Sequence, residues 1–268
     1  MKFDWYQAGV EASPQIVVDT LAACYELSDV LPTKPFNGYE RAYMVKRGDT
    51  ELLKVQWGGN TGTRVQVQAS GDQAPTFAEH LRENFTDHLV TRADIALDYC
   101  EPGAWESLFN LSVETADLFK LKTEHRGDYH RQEKGRTFYI GSRQSPAFNR
   151  IYEKGKESGG NPEHVRSEFE FKPKSEQARV VYSKASPEQI LFASTWSAHF
   201  YGILTGLNGL KLAPAGTIRK LTDDQKSFLH MMKQYGPLLG RMLDERGGDY
   251  CDLGLHIAQH IKPPKTAD

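Results

Sequence analysis

The sequence is poor in cysteine: Cys24, Cys100 and Cys251 lie far apart and none sits in a C-x-x-C pair. That argues against a disulfide framework or a zinc ribbon and fits a reducing compartment. No apolar run approaches the roughly 20 residues needed to cross a bilayer. The opening MKFDWYQAGVEAS has a single Lys and no apolar core, so it does not read as a secretory signal. These absences predict a cytoplasmic protein without membrane contact. No internal repeat and no low-complexity tract is evident. The glycine-rich GGNTGT lacks the G-x-x-x-x-G-K-[ST] pattern, so it is read as a turn and supports no nucleotide-hydrolysing role. No His-hydrophobe-His pair occurs, which removes the commonest histidine metal site of single-strand endonucleases. His256 and His260 stand four apart, but no Glu follows the first as in zincins, so a surface or interface pair is the reading.

An excess of positive charge is also missing: the net charge of the 268 residues is −2. Its distribution is uneven, however. Between residues 120 and 156 ten Lys or Arg stand against four Asp or Glu, a local +6 that leaves −8 for the rest. A basic patch on an acidic protein directs a polyanion to one face, whereas its plainer reading is a solvated surface. Hydrophobic content of 39% and charged content of 25% are those of a globular protein with a real core, as one large domain or two modest ones.

The apolar pattern changes along the chain. FDWYQAGVEA reads as a strand, and SPQIVVDTLAACY as a helix capped by Ser13 with Pro14 in its first turn. ERAYMVKRGDTELLKVQWGG has the form of a hairpin, TRVQVQASG alternates strictly, and PTFAEHLRENF and GAWESLFNLSVETADLF read as helices. LVTRADIALDYCEP, RTFYIGS, FNRIYEKG and HVRSEFEFKPK give further strands, and helices dominate from about residue 175, with Gly and Pro interrupting the stretch after Thr222. The expected class is α+β: a largely antiparallel sheet flanked by helices over 1–180, a mostly helical section over 181–262, and a disordered tail at 263–268. LTGLNGLKLAPAGT reads as a linker or wing between helices.

Three strands concentrate ionisable groups. Asp94 and Asp98 point to one face of their strand but lie about 13 Å apart at 3.3 Å per residue, too far for one ion unless a bulge or strand end intervenes. Glu168 and Glu170 share a face about 6–7 Å apart, a spacing compatible with a hard oxygen-ligand site for Mg²⁺ or Mn²⁺ joined by an Asp of a neighbouring strand. On RIYEK, read as a strand, Arg150, Tyr152 and Lys154 share a face and Ile151 points inward. Flanking cations favour a phenolate. Nucleophile, charge clamp and metal would together supply covalent phosphoryl transfer. For each group the plainer reading is a mixed-charge solvated strand face or cross-strand Tyr–Arg packing.

TRADIALDY, GRTFYIGSRQSPAFNRIYEKGKE and VRSEFEFK resemble, in order and spacing, the three core motifs of the Rep_trans family, the rolling-circle replication initiators of filamentous phages and staphylococcal-type plasmids. WGGNTGTRVQVQASG resembles the family's upstream strand pair, so the likeness covers about residues 38–172, and more weakly the helical section. It implies a metal-dependent DNA nicking and closing enzyme acting at a double-strand origin in a bacterial cytoplasm. Tyr152 would take the 5′ phosphate as a phosphotyrosine, and a second transfer would rejoin the displaced strand. The resemblance further implies Mg²⁺ or Mn²⁺ on Asp94, Asp98, Glu168 and Glu170. Arg150, Lys154 and Arg143 would sit at the scissile phosphate, and Arg92, Arg136, Lys156 and Arg166 would join Arg143 in a DNA groove. Expected partners are origin DNA with its single-stranded nick region, a host helicase, a single-strand binding protein and a second copy as a homodimer. The alternative is a catalytically silent origin- or promoter-binding regulator on the same scaffold.

Overall fold

The computed structural model describes residues 1–59, 62–131, 135–206 and 223–260. Most of the expected linker and the whole of the tail lie outside them. The chain divides into compact units Met1–Thr217 and Ile218–Asp268.

In the first unit the order is β1 (Lys2–Val10), α1 (Pro14–Ala23), β2 (Asp29–Pro32), β3 (Arg41–Arg47), β4 (Thr50–Trp57), β5 (Val65–Ser70), α2 (Ala74–Asn84) and β6 (Leu89–Tyr99). There follow α3 (Ala104–Phe119), β7 (Thr123–Arg126), β8 (Thr137–Ile140), β9 (Ala147–Tyr152), α4 (Lys154–Ser158), β10 (Val165–Phe171), α5 (Glu176–Lys184), α6 (Pro187–Leu191) and α7 (Thr195–Leu204). The strands form one sheet in the order β2-β3-β4-β5-β1-β6-β10-β9-β8-β7, with every pairing antiparallel. This is the α+β class predicted from the sequence.

The alternation along each strand sorts side chains between two faces. One face is apolar: Val55, Val67, Ile95, Phe138, Ile151, Phe169 and Phe171 are all buried. α1 packs on β4, α2 on β1 and β5, α3 on β8 to β10, and α5 on β6. Caps set several helix starts. Ser13 and Ser175 accept from the third amide of α1 and α5, and Ser186 with Gln189 closes a capping box on α6. The opposite face carries polar and charged side chains and is called the open face below.

Counting outward from the centre, both halves place their strands first, fifth, fourth, third, second. β1-β5-β4-β3-β2 runs one way and β6-β10-β9-β8-β7 the other, with β1 and β6 antiparallel between them. Each half has a helix between its first and second strands and another after its fifth. The topology is therefore an internal duplication about a local two-fold, although the sequence shows no overt repeat.

Three local features depart from the sequence expectations. β2 and β7 are four-residue edge strands exposed throughout, so they carry no buried alternation to read. The strand of RIYEK ends at Tyr152, and Lys154 opens the short helix α4. In the second unit α8 (Asp223–Asp244) continues through Gly236 and Pro237, where an interruption is expected, and α9 (Tyr250–His260) follows. A proline removes one amide donor, and the rest of a 22-residue ladder carries the helix.

Candidate active site on the open face

β6, β10 and β9 lie side by side, and their register fixes which side chains meet. Asp98 faces Arg166, Ala96 faces Glu168 and Asp94 faces Glu170; across the other edge of β10, Arg166 faces Tyr152 and Glu168 faces Arg150. The structure thus brings Asp94, Glu168, Glu170, Arg150, Arg166 and Tyr152 onto one patch of the open face.

Tyr152 is buried, with its hydroxyl donating to Oε2 of Glu168 at 3.0 Å. Arg150 stacks over its ring at 5.2 Å and binds Oε1 of the same carboxylate at 2.6 Å. The sequence reading of a cation-favoured phenolate does not hold in this arrangement. Burial first, and the Glu168 charge second, push the phenol above its usual range, against the lowering pull of Arg166 and Arg150. Tyr152 is held as a neutral phenol with a carboxylate already on its proton.

Asp94 is 2% exposed, and burial raises its carboxyl to about 6 despite the hydrogen bonds from Arg92. The charges of Glu168 and Glu170 add to the rise. Arg92 also reaches Glu170 at 2.9 Å, and Lys172 binds the other oxygen of Glu170. Asp98 belongs to a different group. Burial raises its carboxyl, but hydrogen bonds from Arg166 and His164 outweigh that and hold it below the usual carboxylate range. The β6–β10 register is unbroken from Ala93 to Tyr99, so no bulge draws Asp98 toward Asp94. Among the described residues, no three His, Cys, Asp or Glu groups are gathered as a metal centre.

The remaining cations divide by partner. Arg166 is spent on Asp98 and on Asp4 of β1, at 2.7 and 2.8 Å. Arg136 and Lys156 converge on Glu153, which is 4% exposed and also accepts from the Arg136 backbone amide. Arg136 further lies 4.5 Å over the Trp105 ring. Lys154 sits 5.6 Å from the Tyr152 ring centroid and pairs with Glu157 at 3.2 Å. Arg143 is exposed, 5.3 Å from both the Tyr139 and the Phe148 ring, which stack on one another at the edge of the patch. Two participants had no signal in the motif pattern: His164 on Asp98, and Trp5, whose ring lies 4.7 Å from the Arg92 guanidinium. Each comes from a neighbouring strand or its approach, and only the pairing reveals it.

The fold is an all-antiparallel α+β sheet whose polar face gathers a tyrosine, three carboxylates and several arginines. Residues 88–192 match the Rep_trans family, described as replication initiation factor, which bears out over that segment the resemblance seen in the motif blocks. A solved structure of the rolling circle replication initiator protein from Geobacillus stearothermophilus shares the fold. It is 19% identical, with a TM-score of 0.52, and the match covers 76% of this chain and 82% of that one. No match was found among curated proteins. Among the described residues, no helix is long and apolar enough to cross a membrane.

Proposed function

We propose that this protein initiates rolling-circle DNA replication by cutting one strand of an origin and holding its 5′ end on Tyr152. The observation that carries the reading is the Tyr152–Glu168 hydrogen bond, set among arginines within the segment that matches the replication initiation factors.

The chemistry follows from the groups present. The Tyr152 oxygen attacks the scissile phosphorus and the bond from phosphorus to the 3′ oxygen breaks. The DNA 5′ phosphate is then esterified to tyrosine and a 3′ hydroxyl is freed. The phenol proton passes to Glu168, since a neutral phenol needs a base in reach to become a nucleophile. Arg150 balances charge on the phosphate as it moves from Glu168 toward the incoming anion, and Arg143 supplies a second cation at the rim. Lys154, near the Tyr152 ring and paired with Glu157, would protonate the departing 3′ oxygen. The reverse attack by a 3′ hydroxyl on the phosphotyrosine rejoins the strand.

Asp94, Glu168 and Glu170 offer the hard oxygen donors that suit Mg²⁺ or Mn²⁺. Asp94 and Glu170 are directly opposed and Glu168 lies one pair along, with Arg92, Lys172 and Arg150 as their present cations. The three carboxylates are not gathered as a metal centre as they stand, and would hold such an ion once Arg92, Arg150 and Lys172 turned to the DNA. Asp98, tied to Arg166 and His164, belongs to the frame. When bound, the ion would supply Lewis-acid polarisation of the phosphate.

Partners follow the same reading: origin DNA, with a helicase and a single-strand binding protein to extend the opened strand, in a bacterial cytoplasm. The test is incubation with supercoiled DNA carrying the protein's own origin, with Mg²⁺ or Mn²⁺. Nicked or relaxed circles formed by the wild type and absent with Tyr152→Phe support initiation. Tight binding without any nicking would instead assign the chain as a silent regulator.

A further inference from the structure

The duplicated topology raises the question of what occupies the second copy of the active site. Two bulges fix the register between the halves. β1 leaves Asp4 unpaired against β6, and β6 leaves Thr91 unpaired against β1. Exchanging the halves so that these bulges coincide places Gln7 at the position of Asp94, Gln66 at Glu168, Gln68 at Glu170 and Gln56 at Arg150. The strand pairings agree, since Gln66 faces Gln56 as Glu168 faces Arg150 and Gly9 faces Gln66 as Ala96 faces Glu168. R-V-Q-V-Q at 64–68 is then the counterpart of R-S-E-F-E at 166–170.

The correspondence extends to contacts. Arg64 reaches Glu11 at 3.5 Å, as Arg166 reaches Asp98 at 2.7 Å. Gln56 donates to Gln66 at 2.8 Å, as Arg150 donates to Glu168 at 2.6 Å. The framing ion pair and the cross-strand bond are kept, whereas every carboxylate of the crowded set has become an amide. Gly58 stands where the nucleophile Tyr152 stands in the other half. The position cannot do the same chemistry, yet it is hollow: a cavity of about 320 Å³ is lined by Gln7, Tyr39, Arg64, Gln66, Thr91 and Arg179, among others.

We propose that this cavity is a second nucleic-acid site, which receives an unpaired nucleotide of the strand being cut and performs no chemistry on it. The proposal rests on the initiator reading above. Amides and a hydroxyl offer donors and acceptors to a base edge, and Tyr39 adds an aromatic wall. The exchange of carboxylates for amides removes the repulsion that a phosphate chain meets on the catalytic half, while Arg179 and Arg64, the latter shared with Glu11 and Glu176, line the cavity. Continuity supports the same occupant. Gln7 lies directly opposite Arg92, whose guanidinium covers Trp5 and binds Asp94, so the two sites share one uninterrupted face.

The test uses the full chain and a mixed-sequence single-stranded oligonucleotide carrying 5-iododeoxyuridine at successive positions. Ultraviolet crosslinking and peptide mapping report contact, and covalent attachment to Tyr152 is read in parallel on the same oligonucleotide. Crosslinks at Tyr39 are expected. Gln7→Glu, a half-buried and nearly isosteric change, is expected to weaken strand binding about tenfold, as restored negative charge opposes the phosphates. Crosslinks confined to Tyr139 and Phe148, with unchanged affinity for Gln7→Glu and normal Tyr152 attachment, would overturn this site and leave the initiator reading standing. Crosslinks at Tyr39 without any Tyr152 attachment would uphold the site and remove the initiator reading.

Discussion

Tyr152 on β9 donates its phenolic proton to Oε2 of Glu168 on β10 at 3.0 Å, and Arg150 holds the other oxygen of that carboxylate. A tyrosine hydroxyl, the carboxylate that accepts its proton in a hydrogen bond and an arginine thus occupy two adjacent strands, the arrangement on which the proposed strand transfer rests. Glu168→Gln keeps an oxygen that can accept from Tyr152 but loses the basicity. Strand attachment should slow by about 10²–10⁴-fold, the usual contribution of a general base, with the fold retained. Single-turnover attachment rates beside thermal melting of the same variant would check this, and a normal rate would remove Glu168 from proton transfer.

Glycine at 155 is required by close approach. A Cβ there would lie 1.5 Å from the Asn161 carbonyl oxygen, and the Gly155 amide donates to His164 at 2.9 Å. Gly155→Ala must push α4 off the 161–164 turn, and Lys154 and Lys156 move with it. We expect a loss of about 1–3 kcal/mol, typical of a core clash, and slower strand attachment. Denaturant unfolding and the attachment rate measure both.

Arg166 joins three strands, binding Asp98 on β6 and Asp4 on β1 from its place on β10. Arg166→Gln takes the cation from Asp4 and leaves Asp98 with His164 alone. Both carboxylates are partly exposed, so the expected loss is about 1–3 kcal/mol, below that of a fully buried pair. If instead Arg166 served mainly as a DNA contact, stability would hold and affinity alone would fall.

Stability should also depend on pH through His88. Its Nε2 accepts from the Tyr6 hydroxyl at 2.8 Å and its Nδ1 donates to the Phe85 carbonyl at 2.7 Å, an arrangement that needs the neutral ring. Burial lowers its pKa, the nearby Arg82 lowers it further, and the Phe85 carbonyl and Asp87 act in the opposite direction. The unfolded chain therefore takes up a proton here that the native state refuses. The contribution is full above about pH 6.5 and is lost as pH falls below it. Unfolding free energies across that range should slope less in His88→Gln than in the wild type.

The two-sided alternation of β6, β9 and β10 was legible because each strand buries one face on helices, so placing Asp94, Glu168, Glu170, Arg150 and Tyr152 on a common face needed only period-two counting. The partnerships were not legible, since they depend on register between segments far apart in sequence. Asp98 parts from Asp94 because it meets Arg166, and the neutral state of Tyr152 follows from burial beside Glu168. The duplication is masked in the sequence for a related reason. Its signature is R-x-Q-x-Q against R-x-E-x-E, a likeness of spacing whose residues differ at the positions that carry chemistry.

The most direct measurement is the chemical identity of the DNA–protein link. Origin DNA is incubated with the full chain and Mn²⁺ or Mg²⁺, the complex is digested with nuclease and protease, and the modified peptide is sequenced by mass spectrometry. The expected product is a 5′-linked nucleotide on Tyr152 within RIYEK, with no adduct from Tyr152→Phe. An adduct on another tyrosine, or nicking by Tyr152→Phe at the wild-type rate, would contradict it.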